Sequence, residues 1–209
     1  MRNTSLCYIA RGRDYLMLHR VKKENDENRD KWIGIGGKFE EGESPEDCLL
    51  REVREETGLT LRSWRYRAIV TFVSDEWGTE YMHLFSSDDY SGTLRSDCEE
   101  GELRWIDRDA LLETSIWEGD RIFLRLLDSD APFFSLKLRY RGDTLTEAVL
   151  DGKDLGIRDQ ASGIRDQASG IRDQASGIRH QGLGIRDQGS GIRHPASGIR
   201  HQGLGIRDQ

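Results

Sequence analysis

For its first 155 residues the chain alternates short apolar runs with polar, glycine-marked turns. Leu6 to Ala10 and Tyr15 to Val21 are apolar segments around Arg11-Gly12-Arg13-Asp14, the pattern of a hairpin. Lys22 to Lys31 contains no apolar residue and predicts an exposed loop. After the glycine-rich Ile33-Gly34-Ile35-Gly36-Gly37, the pair Ser44-Pro45 marks a helix start, with Ser as N-cap, Pro at the first helical position and Glu46 and Asp47 at the positive dipole end. That helix is expected to run to about Thr57 and stop at Gly58. Residues 59–74 and 80–86 are rich in β-branched and aromatic side chains and flank Asp75-Glu76-Trp77-Gly78-Thr79, which predicts a long hairpin. Leu103 to Ile106 reads as a short strand. Trp117 to Leu127 places Ile122, Phe123, Leu126 and Leu127 on one helical face, and Phe133 to Tyr140 with Thr144 to Leu150 form a last hairpin. Strands dominate and do not alternate with helices, so the fold class is α+β, a mixed sandwich rather than a βαβ array.

From Gly156 the pattern changes to a seven-residue repeat, Gly-Ile-Arg-Asp/His-Gln, continuing to Gln209 without one aromatic residue. A coiled-coil seam requires two apolar positions per heptad, whereas each repeat usually offers one Ile beside helix-weakening glycines. Residues 1–155 are therefore expected to form one domain and 156–209 a disordered low-complexity tail. The net charge of −7 divides into −10 on the first 155 residues and +3 on the tail, which has 8 Arg against 5 Asp, and this argues against duplex nucleic acid as a partner. Cys7, Cys48 and Cys98 are an odd number at wide spacing, which suits neither a disulfide framework nor a zinc site and points to a reducing cytoplasm. No stretch approaches the ~18 apolar residues that a membrane span requires.

The chemistry concentrates between Gly37 and Leu59. On a helix at about 100° per residue, Glu52, Glu55 and Glu56 share one stripe while Leu49, Leu50, Val53 and Thr57 form the neighbouring one. Like carboxylates at this spacing repel unless a cation sits among them, and oxygen-only ligands select hard Mg²⁺ or Mn²⁺ over zinc. Arg51, four residues before Glu55, can orient it. Gly36-Gly37 lets backbone approach a metal or phosphate, and Lys38 offers a phosphate a point charge.

Gly37, Glu43, Arg51-Glu52-Val53, Glu55-Glu56 and Gly58-Leu59 stand at the spacing Gly-x5-Glu-x7-Arg-Glu-U-x-Glu-Glu-x-Gly-U, with U apolar. This resembles the Nudix box at every fixed position. The resemblance implies a Nudix α/β/α sandwich and hydrolysis of a nucleoside diphosphate linked to another group. Glu52, Glu55 and Glu56 would hold Mg²⁺, the carbonyl of Gly37 would join them, and one further carboxylate, Glu100 with Glu102 as the reserve, would serve as metal ligand or base. Lys31 to Glu43, Ile116 to Asp120 and Phe133 to Asp143 look like the MutT-type 8-oxo-dGTP diphosphatases, including the animal nucleotide-pool sanitisers. In those relatives an aromatic residue stacks on the purine and acids read its edge, roles that fall here to Trp117 and Asp120. The chain departs from the animal enzymes at Gly119, where they carry a second Asp, and at Ile33, where they carry Asn. Other Nudix substrates, such as ADP-ribose or a dinucleoside polyphosphate, are the enzymatic alternative. A nucleotide-sensing module without turnover is the non-enzymatic one.

Overall fold

The computed structural model describes residues 1–21, 26–96 and 98–157. Residues 158–209, and with them the expectation of disorder in the repeat tail, lie outside the described residues. The elements in chain order are β1 (Arg2–Arg11), β2 (Asp14–His19), β3 (Trp32–Ile33), α1 (Pro45–Thr57), β4 (Leu59–Ser74) and β5 (Gly78–Gly92), followed by β6 (Glu102–Asp107), α2 (Arg108–Leu111), α3 (Asp120–Asp128), β7 (Phe134–Arg141), β8 (Thr144–Leu150) and β9 (Lys153–Asp154). One mixed sheet runs in the order β3-β2-β1-β5-β4-β7-β8-β9, with β6 also on β2. The β1–β5 and β4–β7 ladders are parallel; the others are antiparallel.

The period-2 alternation along β1 and β2 explains the layering. Tyr8, Tyr15 and Met17 face Ile122, Phe123, Leu126 and Leu127 of α3, whereas Cys7, Ile9, Leu16 and Leu18 face Leu49 and Val53 of α1. Each fully buried Leu, Ile or Phe contributes about 1.5–3 kcal/mol. The two cores on opposite faces of the sheet make this an α/β/α sandwich, as expected.

Helix α1 is set by its ends. Ser44 accepts from the Asp47 N–H while the Asp47 carboxylate accepts from the Ser44 N–H, a reciprocal capping box with Pro45 following. Such a cap is worth about 1 kcal/mol. Gly58, at φ 75, closes the other end. Tertiary pairing altered other expected boundaries. β1 starts at Arg2, and β5 extends through the polar Ser86 to Ser91, because it is paired with β1 as far as Ser87 and with β4 as far as Gly92. The short α2 was not expected; the Asp107 side chain caps its first turn. α3 begins at Asp120 rather than Trp117, and the N–H of its N-cap, Gly119, donates to the Tyr140 hydroxyl at 2.7 Å. The described part of the polar loop, from Asp26 to Lys31, is not uniformly exposed: Asp26, Glu27 and Asn28 are half-buried. No helix among the described residues is long and apolar enough to cross a membrane. Leu155 and Ile157 still pack against the α3-side core.

Candidate active site

The glycine-rich segment is held beside the first half of β1. Cys7 and Ile35 exchange backbone hydrogen bonds at 2.7 and 2.9 Å, the Ser5 N–H donates to the Gly37 carbonyl at 3.0 Å, and the Phe39 N–H donates to the Asn3 carbonyl at 3.1 Å. This lays Gly36 and Gly37 against the carboxylates of α1. The Gly36 N–H donates to Glu56 Oε2 at 3.1 Å. A Cβ added at Gly37 would fall 2.3 Å from Glu52 Oε1, so only glycine lets this carboxylate and the loop backbone come together. The Gly37 carbonyl accepts from the Ser5 N–H at 3.0 Å and from the Cys48 thiol at 3.5 Å, so a metal there would displace the weaker thiol contact.

Arg51 organises the acidic helix. Its guanidinium makes a two-pronged bond to Glu43, at 2.6 and 2.9 Å, and reaches Glu52 Oε1 at 2.8 Å and Glu55 Oε2 at 3.2 Å. It also donates to the carbonyl of Lys38 at 3.0 Å, joining the loop to the helix. The Arg51 hydrogen bonds hold the Glu43 carboxyl down to about 2. Glu52 moves the other way: burial is the largest cause of its raised pKa, with Glu55 and Glu43 adding like charge against the opposing pull of Arg51.

The three glutamates do not behave alike. Glu56 is buried, Glu52 is half-buried against Gly37, and the Glu55 side chain is 61% exposed on the Arg51 side. Among the described residues no three acidic, histidine or cysteine side chains converge as a metal-binding group. The donor set is nevertheless one that suits a hard cation, with an oxygen-only carboxylate stripe and a backbone cradle that a Cβ would fill.

A cleft of about 620 Å³ joins this region to a second one. Its lining includes Gly36, Gly37, Lys38, Glu52 and Glu100, and also Trp117, Asp120, Asn28, Ile33 and Phe72. Arg20 ion-pairs with Glu100 at the cleft wall and with Asp26 at 2.7 Å. Glu55 and Glu56 are not in the lining, and neither is Glu102, which lies in β6 with a side chain 60% exposed. Trp117 is buried; the Lys31 ammonium stands 4.3 Å from its ring centroid, and Phe72 and Tyr140 meet it edge-on. Asp120 is also buried, and desolvation pushes its carboxyl up to about 7 against the pull of Arg121 and Lys31. Gly119 has no room for a side chain, since a Cβ would lie 2.5 Å from Leu138 Cδ1 and 2.8 Å from the Tyr140 hydroxyl. His19 stacks on Trp32 and His83 bonds the Tyr66 hydroxyl. Neither histidine lines the cleft.

Sequence reasoning missed Arg20, Asn28 and the buried Glu80 as parts of the cleft wall. Arg20 and Asn28 stand in or beside a wholly polar run with no periodicity, so no local signal marked them. Glu80 opens a strand pattern in which an acidic residue reads as solvent-facing.

The NUDIX domain model matches residues 1–127, and the chain belongs to that family. It is 37% identical over 93 residues to the uncharacterized Nudix hydrolase YvcI of Bacillus subtilis, a match that covers 43% of this chain and 59% of YvcI. It is 29% identical over 123 residues to the oxidized purine nucleoside triphosphate hydrolase of Danio rerio, covering 58% of this chain and 78% of the relative. Among solved structures, the MutT protein of Bacillus halodurans superposes with a TM-score of 0.65 at 24% identity, over 72% of this chain and 98% of that one. At that identity the likeness concerns the fold alone.

Proposed function

We propose that this chain is a nucleoside triphosphate pyrophosphohydrolase that acts on oxidised purine nucleotides, converting 8-oxo-dGTP to 8-oxo-dGMP and pyrophosphate in the cytoplasm. The observation that carries the reading is the cleft itself, which joins an acidic helix and glycine loop to a wall bearing Trp117 and a buried acid, Asp120. The name of the zebrafish relative supports it.

In this reading Mg²⁺, with Mn²⁺ as a substitute, is held by Glu52, Glu55 and Glu56 with the Gly37 carbonyl and Glu100. When bound, it polarises the phosphoanhydride and lowers the pKa of the attacking water. Arg51 keeps Glu43, Glu52 and Glu55 ordered against their mutual repulsion. Lys38 offers the phosphates its charge, and the Gly36 N–H reaches them once released from Glu56 Oε2. One of the helix glutamates, or Glu100, accepts the proton of the water as the anhydride bond breaks. Glu100 is preferred to Glu102 because it lines the cleft. Asp120 accepts from the purine's N–H groups, and Trp117 supports the base after the flexible Lys31 side chain moves from its face. Residues 1–155 form the catalytic unit, with the repeats of 156–209 outside it.

The test is a hydrolysis screen with Mg²⁺ over 8-oxo-dGTP, dGTP, dCTP, ADP-ribose and a dinucleoside polyphosphate. The expected result is highest kcat/KM on 8-oxo-dGTP, with monophosphate and pyrophosphate as products. Preference for ADP-ribose or a dinucleoside polyphosphate would replace the substrate assignment. Nucleotide binding without turnover would make the domain a sensor.

A further inference from the structure

Asn28 is half-buried on the wall of the cleft, 89 residues before Trp117 in sequence. The Trp117 indole Nε1 lies 2.8 Å from its Oδ1. An indole N–H can only donate, so this contact settles which way the amide faces: oxygen to Trp117, NH₂ group away from it. That NH₂ group makes no hydrogen bond with a described residue.

The backbone around Asn28 is anchored as well. Its N–H donates to Asp26 Oδ1 at 3.0 Å, and its carbonyl accepts from the Lys31 N–H at 3.0 Å. Arg20 holds the other oxygen of Asp26 at 2.7 Å, in a pair whose side chains are 11% and 6% exposed. The amide is therefore preorganised, and Asn28 and Asp120 both line the cleft. Ile33, also in the lining, offers no polar side-chain atom.

From this arrangement we infer that Asn28 is a specificity-determining residue that selects 6-oxopurine nucleotides over 6-aminopurine nucleotides. The inference rests on the proposed placement of the base at Trp117 and Asp120. A 6-oxopurine presents a carbonyl acceptor next to an N–H donor, and a donor from Asn28 with an acceptor from Asp120 complements that pair. A 6-aminopurine presents an NH₂ group next to an unprotonated ring nitrogen. It would set two donors against each other at Asn28 and could pair with Asp120 only through the protonated carboxyl, so the discrimination falls on Asn28. A buried polar group left unpaired by the wrong ligand discriminates more strongly than a mismatch of shape.

The discriminating variant is Asn28→Asp. It keeps the oxygen that Trp117 needs and exchanges the free donor for an acceptor at nearly constant volume. Asn28→Ala, which removes both groups, guards against a folding failure of the first variant, and melting curves of each verify the fold. Calorimetric titration of the full chain with dGMP and with dAMP reads the preference without requiring turnover. Wild type is expected to bind dGMP at least about tenfold more tightly than dAMP. Asn28→Ala should lose most of that ratio, and Asn28→Asp should lose it entirely or invert it towards dAMP. A wild type that binds dGMP no more tightly than dAMP, or folded variants that keep the wild-type ratio, would overturn the inference. If the ratio responds to Asn28 as expected but 8-oxo-dGTP is not the best substrate in the hydrolysis screen, the sanitising function falls and the role of Asn28 stands.

Discussion

Asp120 offers a quantitative test of how the base wall of the cleft is built. Its carboxyl is 6% exposed, and desolvation is the largest cause of a pKa raised from 3.8 to about 7. Because the folded state binds this proton more tightly than the unfolded chain does, the group's contribution is most favourable below pH 3.8. It then declines as pH rises, and its full penalty is present once pH passes about 7. At about 1.4 kcal/mol per pH unit, the penalty has an upper limit of about 4–5 kcal/mol. Asn at this position resembles the protonated carboxyl at every pH. Asp120→Asn should therefore be close to neutral for stability near pH 4, and its advantage over wild type should grow by about 2–3 kcal/mol between pH 5 and pH 8. For a domain of this size, that corresponds to a relative Tm gain of roughly 5–10 °C. Parallel thermal melts of the two proteins in matched buffers at pH 5, 6, 7 and 8 measure it, and the difference between variants cancels the other titrating groups. An advantage that stays flat with pH, or a variant less stable than wild type at pH 8, would show that Asp120 is solvated or paired and not a desolvated acid. The same substitution is expected to lower kcat/KM for 8-oxo-dGTP at least about tenfold, since the stability gain comes from removing an acceptor held ready for the base.

Three further outcomes test the phosphate end and the domain boundary. Glu56→Gln should lower kcat by at least ~10³-fold with the fold retained, and the Mg²⁺-dependent rise in Tm expected of wild type should shrink; a variant retaining more than about a tenth of its activity would remove Glu56 from the chemistry. Gly37→Ala should cost little stability, because the atom its methyl would meet at 2.3 Å is the end of the flexible Glu52 side chain, yet activity should fall at least about tenfold as that carboxylate is displaced. Unchanged kcat in a normally folded Gly37→Ala protein would separate Glu52 from the reaction. Truncation after Ile157 should leave Tm and kcat/KM unchanged, since Leu155 and Ile157 complete the apolar packing seen at that end; loss of either property would make the repeats structural.

Local interactions were legible from residues alone. The start and stop of α1 follow from Ser44, Pro45, Asp47 and Gly58, which act within a turn of the groups they satisfy. Runs such as Tyr15-Leu16-Met17-Leu18 were legible as apolar strand segments, though which side chains face which core was decided by the structure, and the spacing from Gly37 to Leu59 exposed the acidic helix and its loop. Tertiary structure decided what depends on residues far apart in the chain. Glu56 is buried while Glu55 stays exposed because the Gly36 N–H and Arg51 claim different carboxylates on one helix. Glu100 rather than Glu102 lines the cleft, where it meets Arg20, 80 residues earlier. Asn28 meets Trp117 across 89 residues, and Gly119 is excluded from carrying an acid by Leu138 and Tyr140. Helical stripes and caps are encoded by period and by nearest neighbours, so sequence expresses them directly. A cleft wall is assembled from loops and strand ends whose polar side chains carry no periodicity, and only the closed sheet brings their donors and acceptors together.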